Sequence, residues 1–192
     1  MPGKEYEKIL DIAADQFGYV ATSQVRERSG SGDALRKMAK RGSLERVSRG
    51  VYRVPTFPSS PFAEYMEASL WPAGVRGVIS HQSSLALRGL SDVSPSAIHI
   101  TVPKDFRIRR NVPHHLMVHN EELRDKEVTL FEGIPTTTLR RTIEDCHRAH
   151  LGSDLLRQAI EDAEQEGFLS PSEAADLVKQ VFPVALQATD DE

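Results

Sequence analysis

The chain has 192 residues, of which 39% are hydrophobic and 27% are charged. These are ordinary values for a globular protein with a buried core, and the absence of an apolar run of about 18 residues excludes a membrane-spanning helix. The single cysteine, Cys146, excludes an internal disulfide framework. Because the first residues also lack the apolar stretch of a secretion signal, we expect a cytoplasmic protein.

The formal net charge of −4 is unevenly distributed. Residues 24–53 contain nine Lys or Arg and three acidic residues, a net charge of +6, whereas residues 1–23 and 54–192 carry −2 and −8. A basic segment in an otherwise acidic protein is typical of a surface that binds a polyanion.

Two helices are predicted at the start of the chain. Apolar residues recur at a spacing of three and four over residues 5–17, and Gly18 suits the end of this helix. A short extended piece at residues 19–20 separates it from a second helix over residues 24–28. A Ser-Gly turn follows.

A third helix and a hairpin are predicted next. Residues 33–41 have an apolar stripe and a basic face, and two short apolar runs, residues 44–47 and 51–54, flank a turn. Strict alternation fails in the first run, so we expect a bulge there. Three helices followed by a hairpin predict a winged helix-turn-helix domain over residues 1–58, in which the hairpin is the wing.

A proline-rich stretch around residue 58 marks a predicted boundary, and residues 59–192 are predicted to form a second, α+β domain. We predict helices at residues 62–71, 81–88, 137–150, 154–166 and 171–181, and strands at residues 78–79, 97–102, 116–119 and 127–131. Residues 187–192 are expected to form a frayed tail. The predicted fold class is therefore α+β, with an N-terminal winged helix-turn-helix followed by a small α+β domain that has a short sheet and C-terminal helices.

The basic segment predicts a DNA-binding surface. In a helix-turn-helix the start of the second helix of the motif enters the major groove, which would place Asp33 and Lys37 nearest to base edges. Arginines of the wing would contact the phosphate backbone or enter the minor groove. The predicted DNA-contacting residues are Ser31, Asp33, Arg36, Lys37, Lys40, Arg41, Arg46, Arg49 and Arg53.

Metal binding and catalysis have weaker support. His114, His115 and His119 lie close together in sequence, and Cys146 and His150 are four residues apart on a predicted helix, but no paired CxxC or HExxH motif is present. The sequence also lacks a Walker motif, a GxGxxG motif and a nucleophile with a facing base. We therefore predict no metal site, no cofactor and no enzymatic activity.

Four phrases resemble the AbiEi antitoxins, the winged-helix regulators of type IV toxin–antitoxin systems that are associated with abortive infection. The phrases, which occur here in order, are FGYVATSQV, LRKMAKRGSLERVSRGVYRVP, ISHQSSLALRGLSDVSPSAIHITVP and GIPTTTLRRTIEDC. Together they extend from about Phe17 to about Cys146.

The resemblance implies a repressor that binds double-stranded DNA at inverted repeats upstream of its own operon, as a monomer or a weak dimer. It also implies an antitoxin that counteracts a nucleotidyltransferase-like toxin, in this family generally without a stable complex. By position, it assigns DNA contacts to Arg36, Lys37, Lys40, Arg46 and Arg49.

Three alternatives stay open at this point. The protein could be a solitary regulator, a regulator whose second domain senses a small ligand, or an interaction module whose basic segment contacts an acidic partner or RNA. A ligand sensor predicts a sizeable apolar cavity with a few convergent polar groups.

Overall fold

A computed structural model of the protein describes residues 4–29 and 32–183. This part of the chain forms eight α-helices, one 3-10 helix and eight β-strands. In chain order the first elements are α1 (Lys4–Ala14), β1 (Tyr19–Ala21), α2 (Thr22–Ser29), α3 (Asp33–Lys40), β2 (Glu45–Ser48) and β3 (Val51–Arg53). The order of three helices and a hairpin is that of a winged helix-turn-helix, as predicted.

The remaining elements combine helices with a second sheet. They are α4 (Ala63–Leu70), β4 (Val78–Ile79), α5 (His81–Arg88), β5 (Ile98–Val102), β6 (Leu116–Asn120), a 3-10 helix (Asp125–Glu127), β7 (Val128–Phe131), β8 (Ile134–Thr137), α6 (Leu139–Arg148), α7 (Ser153–Gln165) and α8 (Pro171–Val181). The predicted α+β class is confirmed. No helix in the described residues is long and apolar enough to cross a membrane. The predicted frayed tail, residues 187–192, lies outside the described residues.

The wing belongs to a three-stranded antiparallel sheet in the order β1-β3-β2. The register between β2 and β3 shifts between Arg46 and Ser48, so the predicted bulge is confirmed. Gly50 closes the wing turn at φ +88°, a conformation that residues with a Cβ rarely adopt. The pairing of β1 with the wing was not predicted from the sequence.

The winged helix-turn-helix has its own apolar core. Buried side chains of all three helices meet those of the small sheet, and Ile9, Val20 and Leu35 are at most 1% exposed. The spacing of apolar residues that predicted α1 and α3 therefore marks their packing faces. Helix α1 ends at Ala14, three residues earlier than predicted, because Phe17 and Gly18 already have positive φ.

The second sheet has five strands in the order β6-β5-β4-β8-β7 and is mixed. Strand pairs β5/β6 and β4/β8 are parallel, whereas β4/β5 and β7/β8 are antiparallel. Strand β8 was missed by the sequence prediction because it begins with Ile134-Pro135 directly after Gly133, and both proline and glycine are depleted in strands.

Two apolar clusters fill the rest of the molecule. One lies among α5 to α8 and includes Leu85, Ile143 and Leu177. Helix α8 begins as predicted, with Ser170 and Glu173 forming a reciprocal capping box and Pro171 in the first turn.

The other cluster extends across the predicted boundary at residue 58. Tyr19 and Val51 of the winged helix-turn-helix pack in the same cluster as Met66, Trp71 and Ile79. In the same region the Arg76 guanidinium donates to the side-chain oxygen of Gln16 at 2.9 Å. The division into residues 1–58 and 59–192 stays a prediction, and the residues on its two sides are in close contact.

Candidate nucleic-acid interface

An open groove of about 940 Å³ lies between the winged helix-turn-helix and the loop that follows β5. Helices α2 and α3 and the wing form one side, and residues 105–110 form the other. Seven arginines and one aspartate line it, so its charge is strongly positive. We call the seven the groove arginines: Arg26, Arg36, Arg46, Arg49, Arg107, Arg109 and Arg110.

The wing turn is tied to the start of α2. The Gly50 carbonyl accepts hydrogen bonds from the backbone amide of Thr22 at 2.8 Å and from its hydroxyl at 3.1 Å. At the start of α3, a Cβ on Gly32 would lie 2.5 Å from the Thr22 methyl and 3.2 Å from Nε of Arg26. Close approach of these segments therefore requires glycine at position 32.

The loop after β5 is held against the wing by Arg110. Its guanidinium donates to the Arg49 carbonyl at 2.7 Å and lies 4.2 Å from the centre of the Trp71 ring. Burial and then the like charge of Arg49 lower the pKa of Arg110. The loop thus has a fixed position beside the wing, and it brings like charges together, an arrangement that favours an anionic ligand.

Most of the groove arginines have no acidic partner. Among residues 4–29 and 32–183, Arg36 is the one groove arginine in an ion pair, with Asp33 at 3.2 Å. The two side chains are 67% and 70% exposed. An exposed pair of this kind is weak in water. Apart from Arg110, which is half-buried and bonded to the Arg49 carbonyl, these guanidinium groups are exposed and available to bind an external polyanion.

The structure brings together only part of the predicted DNA-contacting set. Arg36, Arg46 and Arg49 line the groove. Four further residues of that set are exposed and do not line it: Asp33, Lys37, Lys40 and Arg41. They lie in α3 or directly after it.

Two members of the predicted set differ from the rest. Arg53 is half-buried in the central strand of the small sheet, and its guanidinium donates to the backbone carbonyls of Phe57 at 2.8 Å and Pro58 at 3.4 Å. Its guanidinium thus already has protein partners. Ser31 lies outside the described residues.

Four groove arginines were missing from the predicted set: Arg26, Arg107, Arg109 and Arg110. The sequence contains a signal for the last three, since they fall within four residues between Pro103 and Pro113. Their segment was counted within the acidic second part of the chain, and nothing in the local sequence shows that this loop folds back to the wing.

A second cluster of functional groups lies in the five-stranded sheet. The ring nitrogens of His81, His99 and His119 lie within 4.8 Å of one another. Burial, followed by the other two rings, lowers the pKa of His81 to about 3, and burial and His119 lower the pKa of His99 to about 4. His81 and His99 are therefore neutral at pH 7, which is the form that binds metals. Burial also lowers the pKa of His119.

The histidines and the cysteine considered from the sequence do not assemble. His114, His115 and His150 are exposed, and Cys146 is buried in the apolar cluster of α5 to α8, where burial raises the pKa of its thiol to about 12. Only His119 of that set belongs to the three-histidine cluster.

Comparison with known proteins gives a family for the N-terminal part. Residues 7–55 match the model of the family described as "Transcriptional regulator, AbiEi antitoxin". No curated protein matches the chain. The crystal structure of the RV2827C protein from Mycobacterium tuberculosis is similar, with 15% identity, coverage of 91% of this chain and 70% of that chain, and a TM-score of 0.47. The resemblance to the AbiEi antitoxin family of transcriptional regulators is thus confirmed over residues 7–55.

Proposed function

We propose that the protein is a transcriptional regulator that binds double-stranded DNA through α3, the wing and the groove arginines. The observation that carries this proposal is the groove itself, in which seven arginines and one aspartate face a space that is open to solvent. Contacts of arginine and lysine with phosphates supply a large share of the affinity in protein–DNA complexes, and a groove of this charge offers several at once.

The contacts can be divided by their position. Lys37 of α3 is proposed to reach base edges, whereas Lys40 at the end of the helix and Arg41 directly after it are proposed to reach phosphates. Arg46 and Arg49 of the wing and Arg107 and Arg109 of the loop are proposed to follow the phosphate backbone, and Arg110 to hold this loop against the wing through the Arg49 carbonyl. Arg53 is proposed to contribute indirectly. Its hydrogen bonds to the carbonyls of Phe57 and Pro58 fix the position of the segment that follows the wing.

The regulatory role is proposed to be repression of the protein's own operon at inverted repeats, by a monomer or a weak dimer in the cytoplasm. Residues 59–192 would carry an antitoxin or association role against a nucleotidyltransferase-like toxin of a type IV system, without a stable complex and without enzymatic activity. The match of residues 7–55 to the AbiEi regulators supports the role in regulation.

Nuclease footprinting on the DNA immediately upstream of the gene tests the regulatory role, with a random duplex of equal length as the control. We expect a protected inverted repeat and a Kd at least 1,000-fold below that for random DNA, the usual separation of specific from non-specific binding. Equal affinity for the two duplexes would contradict the proposal.

Co-expression tests the antitoxin role. The neighbouring reading frame that encodes the nucleotidyltransferase-like protein is expressed alone and together with this chain, and growth is measured. We expect growth arrest that this chain relieves, with no complex in size-exclusion chromatography. Arrest that persists with this chain present would leave the protein a regulator without antitoxin activity.

A further inference from the structure

The three-histidine cluster is built from adjacent strands. His99 lies in β5, His119 lies in the neighbouring edge strand β6, and His81 follows β4 on the other side of β5. In the parallel pair β5/β6, His119 lies opposite Thr101, two residues from His99, so both rings project from one face of the sheet.

The spacing of the rings is suited to a tetrahedral metal ion. Nε2 of His119 and Nδ1 of His99 share a hydrogen bond at 3.2 Å. Two nitrogens bound to zinc at about 2.0–2.1 Å in tetrahedral geometry are separated by roughly 3.4 Å. These two nitrogens therefore already have the spacing of two ligands of one ion. The ring of His81 stacks on that of His119 with centroids 3.8 Å apart, and one ring nitrogen of each of the three histidines lies within 4.8 Å of those of the other two.

His81 is held in place by its neighbours. Its Nδ1 contacts the Ser80 hydroxyl at 3.0 Å, and Thr101 in turn donates to that hydroxyl at 2.8 Å. This arrangement leaves Nε2 of His81 as its free nitrogen, and a hydrogen bond at the second ring nitrogen is the usual support of a metal-binding histidine. His81 also has φ +52°, a costly conformation for a residue with a Cβ, and such strain is concentrated at functional sites.

Two carboxylates and one guanidinium group lie close enough to His119 to act on it electrostatically. Glu121 and Asp145 both act electrostatically on His119, and Arg148 acts in the opposite sense. Asp145 is fully buried, and although its Oδ1 binds Arg141 and Arg148, its Oδ2 has no hydrogen-bond partner among the described residues.

We propose that His81, His99 and His119 bind one transition-metal ion of the zinc class. Imidazole nitrogens favour zinc, copper, iron and nickel over magnesium and calcium, and three such ligands leave a fourth position of a tetrahedral ion for water or another ligand. The site revises the sequence prediction of no metal, and it is independent of DNA binding by the groove arginines.

Titration of the metal-free full-length protein with Co²⁺, followed by displacement with Zn²⁺, tests the proposal directly. We expect one Co²⁺ per chain with the visible absorption of a tetrahedral ion, and loss of that absorption when Zn²⁺ is added. At a Zn²⁺ concentration 100 times the Kd, the melting temperature should rise by about 5–10 °C.

Variants locate the site. His119→Gln and His99→Gln should weaken Zn²⁺ binding by at least about 100-fold, and Ser80→Ala by about 10- to 100-fold. The matched control is the double variant His114→Gln/His115→Gln, which removes two exposed histidines outside the cluster and should bind as the wild type does.

Circular dichroism verifies that each variant is folded, and the metal-induced change in each variant is compared with its own metal-free state. Absence of a one-to-one complex in the wild type would overturn the proposal, and so would unchanged binding by both His119→Gln and His99→Gln. Loss of binding in the control variant would also overturn it, because the ligands would then lie among the exposed histidines.

Discussion

The molecule contains two groups of arginines that differ in how their charge is compensated. Except for Arg36, the groove arginines have no acidic partner in the described residues. Arg141 and Arg148 instead belong to a network in α6, where Arg141 bonds Asp145 at 2.7 Å and Glu121 at 2.5 Å, and Arg148 bonds the same two carboxylates. We call this second group the α6 network.

The difference shows which charges serve the fold and which are free for a partner. Asp145 is fully buried, so its charge depends on the two guanidinium groups that contact it. The groove arginines other than Arg110 are exposed to solvent, and removing one of them should change binding far more than stability. Three experiments on variants, described from the largest expected effect to the smallest, test this distinction, and a fourth tests the burial of Cys146.

Replacing Arg141 by Met should have the largest effect. The substitution leaves Asp145 buried with Arg148 as its remaining partner, which should lower the free energy of unfolding by about 3 kcal/mol. The matched control is Arg36→Met, which breaks an exposed pair and should cost less than about 1 kcal/mol. Urea denaturation of both variants measures the two values. If the two variants lost the same free energy of unfolding, the two groups of arginines would not differ as described.

Removing two charges from the groove should weaken DNA binding without loss of stability. Arg107→Ala/Arg109→Ala should lower affinity by about 2 kcal/mol, or about thirtyfold in Kd, and reduce the salt slope by about 1.8. The control Lys126→Ala/Lys179→Ala removes the same charge from exposed positions away from the groove. If fluorescence anisotropy gave both double variants the same affinity, the effect would be one of net charge, and the 107–110 loop would not be part of the interface.

Two positions within the proposed interface should behave differently from each other. Arg49→Ala should weaken binding to operator and random duplexes by the same factor, since a phosphate contact is independent of sequence. Lys37→Ala should lose about 1 kcal/mol more on the operator than on random DNA. Competition binding with the two duplexes gives, for each variant, the ratio of its affinity for the operator to its affinity for random DNA. Identical ratios for the two variants would contradict the separate roles of α3 and the wing.

The buried thiol should give the smallest effect. Burial raises the pKa of Cys146 to about 12, so at pH 8 the thiolate, which is the reactive form, is nearly absent in the folded protein. We expect no alkylation by iodoacetamide within the time in which the urea-unfolded chain is fully modified, as followed by mass spectrometry. Rapid modification of the folded protein would show that α6 opens locally.

Local signals in the sequence predicted much of the fold. Helix α8 was predicted with its observed bounds because Ser170, Pro171 and Glu173 specify its start within four residues. The wing and its bulge were predicted from two short runs and a turn. Strand β8 was missed because Pro135 and Gly133 disfavour a strand locally, while its pairing with β7 and β4 depends on residues far away in sequence.

The candidate sites were less predictable because they depend on the tertiary fold. His81, His99 and His119 are separated by about twenty residues each, and only the order of β4, β5 and β6 in the sheet brings them together. In the same way, Arg107–Arg110 join the groove through a hydrogen bond and a ring contact that no local pattern encodes. The basic segment of residues 24–53, in contrast, was visible in the sequence because its charge is local.

The salt dependence of DNA binding by the wild-type protein tests the central claim most directly. The logarithm of the binding constant is measured against the logarithm of the salt concentration on the upstream duplex. If four to seven of the basic side chains proposed above contact phosphates, the slope should lie between about −3.6 and −6.3, because each phosphate contact contributes about −0.9. A slope near zero, or no measurable binding at low salt, would contradict the assignment of the groove as a nucleic-acid interface.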